Sequence, residues 1–181
     1  MSSDKIQYLV DKTFSLSKDY KHHYVTLEHL LAIILDTDEV QDILSEVGVD
    51  PKECSRDVYE HLEKETEAYP EGQEKEPKKT VMLERVFHRA FTQALFQGRQ
   101  DLKPIDILLS IFSEKRSYSA FLLKKFNVNK DDITDMVSAE SVIDESAFGA
   151  GPEQKLRPNQ ADKILRNYTE NLNQKYFDKK I

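Results

Sequence analysis

The chain has 181 residues, of which 39% are hydrophobic and 33% charged, with five glycines and a formal net charge of -7. This length suits one domain with its own core, and the composition favours a mostly helical protein over a sheet-rich one. The negative charge argues against broad nucleic-acid binding, which needs a basic surface. Cys54 is the single cysteine, so no intramolecular disulfide can form and a reducing compartment is favoured.

Four helices are predicted in the first third of the chain. Each has an apolar stripe at helical spacing, and capping or stop residues stand where the stripes begin and end. The marking residues are Ile6, Val10 and Phe14 in the first helix, Thr26 before the second, Gly48 after the third, and Asp50 with Pro51 at the fourth.

The same order returns after a charged segment, "EKETEAYPEGQEKEPKK", which is predicted to be a solvated linker because it has little to bury. A shift of 77 positions aligns "YVTLEHLLAIIL" with "DLKPIDILLSIF". After a two-residue slip, Asn129 takes the place of the capping residue Asp50. The repetition predicts an all-α fold, in which two tandem four-helix repeats pack as a pseudo-twofold eight-helix domain followed by a flexible C-terminal tail.

Boundaries follow from the shifts in composition. The stretch "ESAFGAGPEQKLRPNQ" combines glycine and proline without an apolar period, so it indicates a second linker. The predicted parts are residues 1–67 and 80–142 for the two repeats, 68–79 for the charged linker, 143–160 for the flexible linker and 161–181 for the tail. Neither a secretion signal nor a membrane-spanning run is found, so we expect a cytoplasmic protein without a membrane partner.

Glu28 and His29 stand together inside an apolar run, where they could serve catalysis, metal binding or helix structure. We favour helix structure, with Glu28 at the positive helix end and His29 packed and hydrogen-bonded in the first turn. Their counterparts in the second repeat are Ile105 and Asp106, so the dyad is not a duplicated site. No G-x-x-x-x-G-K-[ST] motif and no closed ligand set occur, so the sequence predicts no catalytic residue, metal site or cofactor.

Other reactive or charged side chains have ordinary structural interpretations beside the functional ones. Adjacent histidines at 22 and 23 could recruit zinc, but they point in different directions and lack a third ligand at a suitable spacing. Cys54 is expected to be small and buried, because its repeat counterpart is Ile133. His61 and His88 are expected at surface or boundary positions. Arg85, His88, Arg89 and Arg99 could suggest a basic face for nucleic acid, but the first three share one helix at spacings of three and four and are interpreted as its solvated face.

Several stretches resemble the Clp N-terminal domain family, namely "YVTLEHLLAIIL", "ILSEVGVD", "LERVFHRAF" and "DILLSIFSEKRSYSAFLLKKFNV", together with the repeat itself. The resemblance covers about residues 1 to 142 and is nearest to the N-domains of ClpA-type ATP-dependent unfoldases, which feed the ClpP protease. "NYTENLNQ" in the tail is similar to the start of their first AAA+ ATPase module. The resemblance implies a domain that recruits substrate proteins and the ClpS adaptor, and works with an ATPase ring and ClpP when part of a longer chain.

The resemblance also implies where the adaptor docks, at the starts of the second and fifth helices. The residues carried over are His23, Glu28, Thr80, Arg85 and Arg89. At the position of His23 the family typically has an acidic residue that pairs with an adaptor lysine, so we expect weaker adaptor binding or a different partner. Two further hypotheses stay open: a free-standing regulator that competes for the same adaptor, and a small hydrolase built on Glu28 and His29.

Overall fold

The computed structural model describes residues 2–64, 68–73 and 75–147. Eight helices and two short strands lie within them, and the predicted all-α, eight-helix fold is confirmed. In chain order they are α1 (Ser2–Asp19), β1 (Tyr24–Val25), α2 (Leu27–Leu35), α3 (Asp38–Glu46), α4 (Pro51–Lys64), β2 (Lys78–Lys79), α5 (Val81–Phe96), α6 (Pro104–Ile111), α7 (Tyr118–Lys125) and α8 (Lys130–Ala147).

Repeated turn chemistry sets the helix boundaries. Asp50 before α4 and Asn129 before α8 each accept, through Oδ1, the backbone N–H two residues further on, at 2.9 Å in both cases. Gly48 and Asn127 follow α3 and α7 with positive φ angles of 81° and 58°. Each is followed by a valine whose N–H donates to the carbonyl five residues back at 2.9 Å, which is the Schellman pattern. The predicted caps Asp50 and Asn129 and the stop at Gly48 are therefore confirmed.

The core is centred on α2 and α6, the two equivalent helices of the repeats. Every residue of α6 is buried, and α2 packs against α1, α3, α4, α6 and α7. Burial of each large aliphatic side chain contributes roughly 2 kcal/mol. The fully buried ones in these two helices are Leu27, Leu30, Leu31, Ile34 and Leu35 in α2 and Ile105, Ile107, Leu108 and Ile111 in α6.

The charged segment between the repeats differs from the solvated linker that its composition predicts. Its end forms β2, which pairs in parallel with β1, and Tyr69 N–H donates to the carbonyl of Lys21 at 2.7 Å. Pro77 is buried. Backbone pairing needs no apolar side chain, so a polar composition does not reveal it.

The end of the described chain also differs from the predicted boundary at residue 142, because α8 extends to Ala147. The rest of the predicted flexible linker and the whole predicted tail lie outside the described residues. Across the residues that are described, no helix is both long and apolar enough to cross a membrane.

Candidate partner-binding face

The start of α5 is held against the strand that precedes α2. Thr80 caps α5, since its Oγ1 accepts a hydrogen bond from Leu83 N–H at 3.2 Å. The backbone N–H of Thr80 donates to the carbonyl of Val25 at 3.2 Å, and its hydroxyl donates to the same carbonyl at 3.3 Å. The two segments singled out in the sequence, at the starts of α2 and α5, are therefore joined directly.

Glu28 in the first turn of α2 reaches across to α7. Its Oε1 accepts a hydrogen bond from the backbone N–H of Ser119 at 3.2 Å, and its side chain is half-buried. Ser119 is the second residue of α7, so the carboxylate lies at the positive end of that helix dipole. Glu28 thus stabilises the contact between the first and second repeats.

Arg85 and Arg89 on α5 converge on one carboxylate of the loop between α6 and α7. Glu114 is only 8% exposed and accepts from Arg85 Nε at 2.7 Å and from an Arg89 guanidinium nitrogen at 2.8 Å. The hydrogen bonds from Arg85, and then those from Arg89, hold the pKa of Glu114 below its usual range. Arg85 keeps 53% of its side chain exposed, so it is fixed in place and still open to a partner.

The same loop connects the arginines to Glu28. Ser117 N–H donates to the carbonyl of Glu114 at 2.9 Å, and Ser117 then caps α7 by accepting from Ala120 N–H at 3.1 Å. Ser119, the partner of Glu28, follows two residues later. One short loop therefore touches the first turn of α2 and the exposed side of α5.

His23 lies at the other side of β1. Its ring packs on Tyr69, with 3.7 Å between the ring centroids, and its carbonyl accepts from Lys78 N–H at 3.0 Å. Two exposed apolar side chains at the starts of β1 and α5 were missed by sequence reasoning: Tyr24 is 53% exposed and Val81 is 72% exposed. They follow His23 and Thr80 directly in the chain, and no periodic pattern marks them, since each stands at the first residue of its element.

We use the name docking face for these seven residues at the starts of α2 and α5. They are His23, Tyr24, Glu28, Thr80, Val81, Arg85 and Arg89. The face combines exposed apolar surface with a cation, a composition that is common where proteins bind proteins.

The Glu28-His29 dyad is not arranged for catalysis. His29 is fully buried and its Nδ1 accepts the backbone N–H of Thr26 at 3.0 Å, which confirms the packed, hydrogen-bonded interpretation. Its Nε2 lies 2.7 Å from Nδ1 of His22, so both ring nitrogens are engaged. Burial, followed by the nearby His22, lowers the pKa of His29 to about 3. The ring therefore offers no nitrogen to a substrate.

The remaining candidates have structural surroundings. Cys54 is buried as expected, and burial with the neighbouring carboxylates raises the pKa of its thiol to about 12. His61 stacks on Tyr118 with ring centroids 3.7 Å apart, while His88 is exposed. Within residues 2–64, 68–73 and 75–147, no three His, Cys, Asp or Glu side chains are grouped as a metal site would require.

Comparison with known proteins agrees with this architecture. The chain is 23% identical over 150 residues to a ClpA homolog protein of Fuscovulum blasticum, covering 81% of this chain but only 18% of that protein. The Hsp104 N-terminal domain of Candida albicans superposes with a TM-score of 0.59 at 17% identity, covering 69% of this chain and 81% of that one. A ClpV N-domain in complex with a VipB peptide gives 0.53 at 20% identity, covering 70% and 78%.

These likenesses concern the fold, and the family assignment comes from the sequence. The family model described as the Clp repeat (R) N-terminal domain matches residues 1–126, a range that runs from α1 to the end of α7. The chain therefore belongs to the family of Clp repeat N-terminal domains.

Proposed function

We propose that this chain is the partner-docking N-terminal domain of a ClpA-like ATP-dependent unfoldase, and that it recruits a ClpS-like adaptor with its N-degron cargo for degradation by ClpP. The family assignment and the ClpA homolog support this. The chain spans about a fifth of that relative's length, so the ATPase ring would lie in a longer polypeptide. The ClpV N-domain was solved with a VipB peptide, so a domain of this fold binds a peptide partner.

The observation that carries the proposal is the docking face. Exposed Tyr24 and Val81 provide apolar contact area, and Arg85 presents a guanidinium whose position Glu114 fixes. Tyrosine and arginine are the residues most enriched among those that dominate binding energy, and pre-positioned side chains lose little entropy on binding. The surface therefore suits a protein partner that offers an apolar side chain beside a carboxylate.

At position 23 the chain has a histidine where the family typically has an acidic residue. The His23 ring, packed on Tyr69, carries no negative charge that could attract an adaptor lysine. We propose that the partner of this chain makes its strongest contacts with the α5 side of the docking face rather than with His23.

The test is a calorimetric titration of the chain with purified ClpS adaptor. Tyr24→Ala and Arg85→Gln should each weaken binding about tenfold, as loss of a central interface side chain does. Arg56→Gln is the matched control, since Arg56 is an exposed arginine on α4 paired only at 3.9 Å with Glu53. Unchanged affinity in both docking-face variants would refute the proposal that this face binds the adaptor. Absence of binding by the unmodified chain would refute the proposal that ClpS is its partner.

A further inference from the structure

Two buried histidines join three segments beneath the docking face. His22, in the turn between α1 and β1, is 2% exposed, and His29, in the first turn of α2, is fully buried. His22 Nδ1 and His29 Nε2 are 2.7 Å apart. His22 is also hydrogen-bonded to the backbone of Leu62 near the end of α4. The pair is therefore the point at which the turn, α2 and α4 meet.

The hydrogen bonds fix the protonation state of both rings. His29 Nδ1 accepts the backbone N–H of Thr26, so it carries no proton, and the single proton of this ring lies on Nε2. Nε2–H then donates to Nδ1 of His22, so the proton of the neutral His22 ring lies on its Nε2. The array needs two neutral imidazoles, each in one tautomer.

A further proton on either ring breaks this array. On His29 it would have to occupy Nδ1, which faces the N–H of Thr26 at 3.0 Å and the Thr26 hydroxyl at 2.9 Å, so that the hydroxyl would have to turn from donor to acceptor while the N–H is left facing a second donor. On His22 the added proton would face the N–H of His29. Either position sets two donors against each other in a buried site, where an unpaired charge is costly.

The groups around the pair do not offset such a charge. Tyr20 stacks on His22 with centroids 5.3 Å apart, and His23 lowers the pKa of His22 further, after the larger effect of burial. On α4, Glu63 acts on the Tyr20 hydroxyl. On α2, the carboxylate of Glu28 is bound to the N-terminus of α7. From the segment before β2, the backbone at Ala68 pairs with His22, and the described neighbours therefore supply no carboxylate bonded to either ring.

The turn that the pair holds leads directly into the docking face. His23 and β1 follow His22, and their carbonyls accept from Lys78 N–H at 3.0 Å and from Thr80 N–H at 3.2 Å. Through these bonds β1 positions β2 and the cap of α5. Release of His22 would therefore loosen β1, β2 and the first turn of α5 together.

We propose that His22 and His29 are a positioning pair that acts as a pH-dependent latch, holding the docking face in place while both rings are neutral and releasing it when one is protonated. The effect on docking rests on the proposed function, whereas the latch itself does not. Acidification then lowers partner affinity without altering any residue that touches the partner.

The latch is tested by amide hydrogen exchange on the full chain between pH 7.5 and pH 5, after correction for intrinsic rates. The protection of the Lys78 and Thr80 amides should fall about thirtyfold from pH 7.5 to pH 5. The reason is that the pKa of His29 is about 3 in the closed form and returns to its ordinary value near 6.5 in the open form. Amides of α6 should keep their protection. A long-range 1H–15N spectrum should show only the Nε2–H tautomer of His29 at pH 7.5.

His29→Gln is the decisive variant. His29 occupies the third position of a capping box, where glutamine is an ordinary residue that can accept from Thr26 N–H and donate to His22 without titrating. This variant should lose less affinity for ClpS between pH 7.5 and pH 5 than the unmodified chain, which should lose at least tenfold, and its remaining loss should come from His22. His22→Asn is the second variant should His29→Gln fail to fold, and His88→Gln, on exposed α5 surface, is the control.

Two results would overturn the latch. One is an imidazole of His29 that titrates near 6.5 while the Lys78 and Thr80 amides keep their protection. The other is equal loss of amide protection in His29→Gln and in the unmodified chain. Failure of ClpS to bind at either pH would instead refute the proposed function, and hydrogen exchange would still decide the latch.

Discussion

The two repeats fasten their central helices with different chemistry at equivalent positions. Seventy-seven residues after His22 and His29 stand Arg99 and Asp106. Asp106 accepts the backbone N–H of Lys103 at 2.8 Å, as His29 accepts that of Thr26 at 3.0 Å. Arg99 donates to both carboxylate oxygens of Asp106, at 2.7 and 3.0 Å, where His22 accepts from His29. One repeat uses a neutral pair, and the other uses an ion pair.

The difference shows which part of this arrangement the fold requires. The first turns of α2 and α6 are largely buried, and in each the backbone N–H of the N-cap residue is satisfied by a side-chain acceptor at the third helical position. The preceding turn must then be tied to that acceptor. A carboxylate with an arginine that is 25% exposed does this in the second repeat, while two fully covered imidazoles do it in the first. The two pairs therefore share the geometry of their hydrogen bonds but differ in charge.

The largest effect should come from removing the acceptor in the first repeat. His29→Ala leaves Thr26 N–H and His22 Nδ1 without their His29 partner and opens a cavity, so we expect a loss of about 3 kcal/mol in the free energy of unfolding, measured by urea denaturation at pH 7.5. His88→Ala, on exposed α5 surface, should change it by less than about 0.5 kcal/mol. A loss below 1 kcal/mol for His29→Ala would mean that the acceptor is dispensable.

The next effect is the pH dependence that the neutral pair alone should cause. The pKa of His29 is lowered to about 3, so the unfolded chain binds a proton below about 6.5 that the folded chain does not bind. Stability is therefore complete above 6.5 and is lost as pH falls towards 3, by about 2 kcal/mol at pH 5 from this residue. Burial lowers the pKa of His22 as well, which adds a loss of the same sign.

Urea denaturation at pH 7.5, 6 and 5 checks this dependence. His29→Gln should show a smaller loss than the unmodified chain over the same range, by the share that His29 contributes. Equal losses in the two proteins would assign the acid sensitivity to other groups.

Exchanging the two pairs should have an intermediate effect. His29→Asp alone places a carboxylate next to the neutral His22, and His22→Arg alone places a guanidinium next to a neutral imidazole. The double variant recreates the pair of the second repeat, so we expect a favourable coupling of about 1 to 2 kcal/mol in a double-mutant cycle. Recovery should be incomplete because position 22 is 2% exposed, whereas the side chain of Arg99 reaches solvent. A coupling energy of zero between the two substitutions would mean that positions 22 and 29 are not equivalent to positions 99 and 106.

The sequence predicted the helices well because their signals are local. Caps such as Asp50 and stops such as Gly48 act within a few residues, and the apolar stripes of the two repeats reinforce each other. The pairing of β1 with β2 was missed, since it depends on backbone groups in a charged segment. The arginine clamp on Glu114 joins residues 25 to 29 positions apart, and nothing in the local pattern of either helix reports that contact.

The Glu28-His29 dyad shows a limit of comparing the two repeats by sequence alignment. Aligning the repeats sets His29 opposite Asp106, and the different residue types suggested that nothing functional was repeated there. In the structure the two side chains do the same work, because each accepts the N-cap amide of its helix. Alignment compares residue types, whereas a capping position requires only an acceptor of suitable reach.

The smallest effect concerns Glu28, the one member of the dyad without a similar counterpart, since Ile105 is buried in α6. Glu28→Gln keeps an acceptor for Ser119 N–H but removes the charge at the positive end of α7, so we expect a loss of about 0.5 kcal/mol in the free energy of unfolding. Asp135→Asn, exposed in the interior of α8, is the control without a helix terminus nearby. If Glu28→Gln cost nothing in stability yet weakened ClpS binding, Glu28 would serve the partner rather than α7. The asymmetry between the repeats would then reflect docking and not packing.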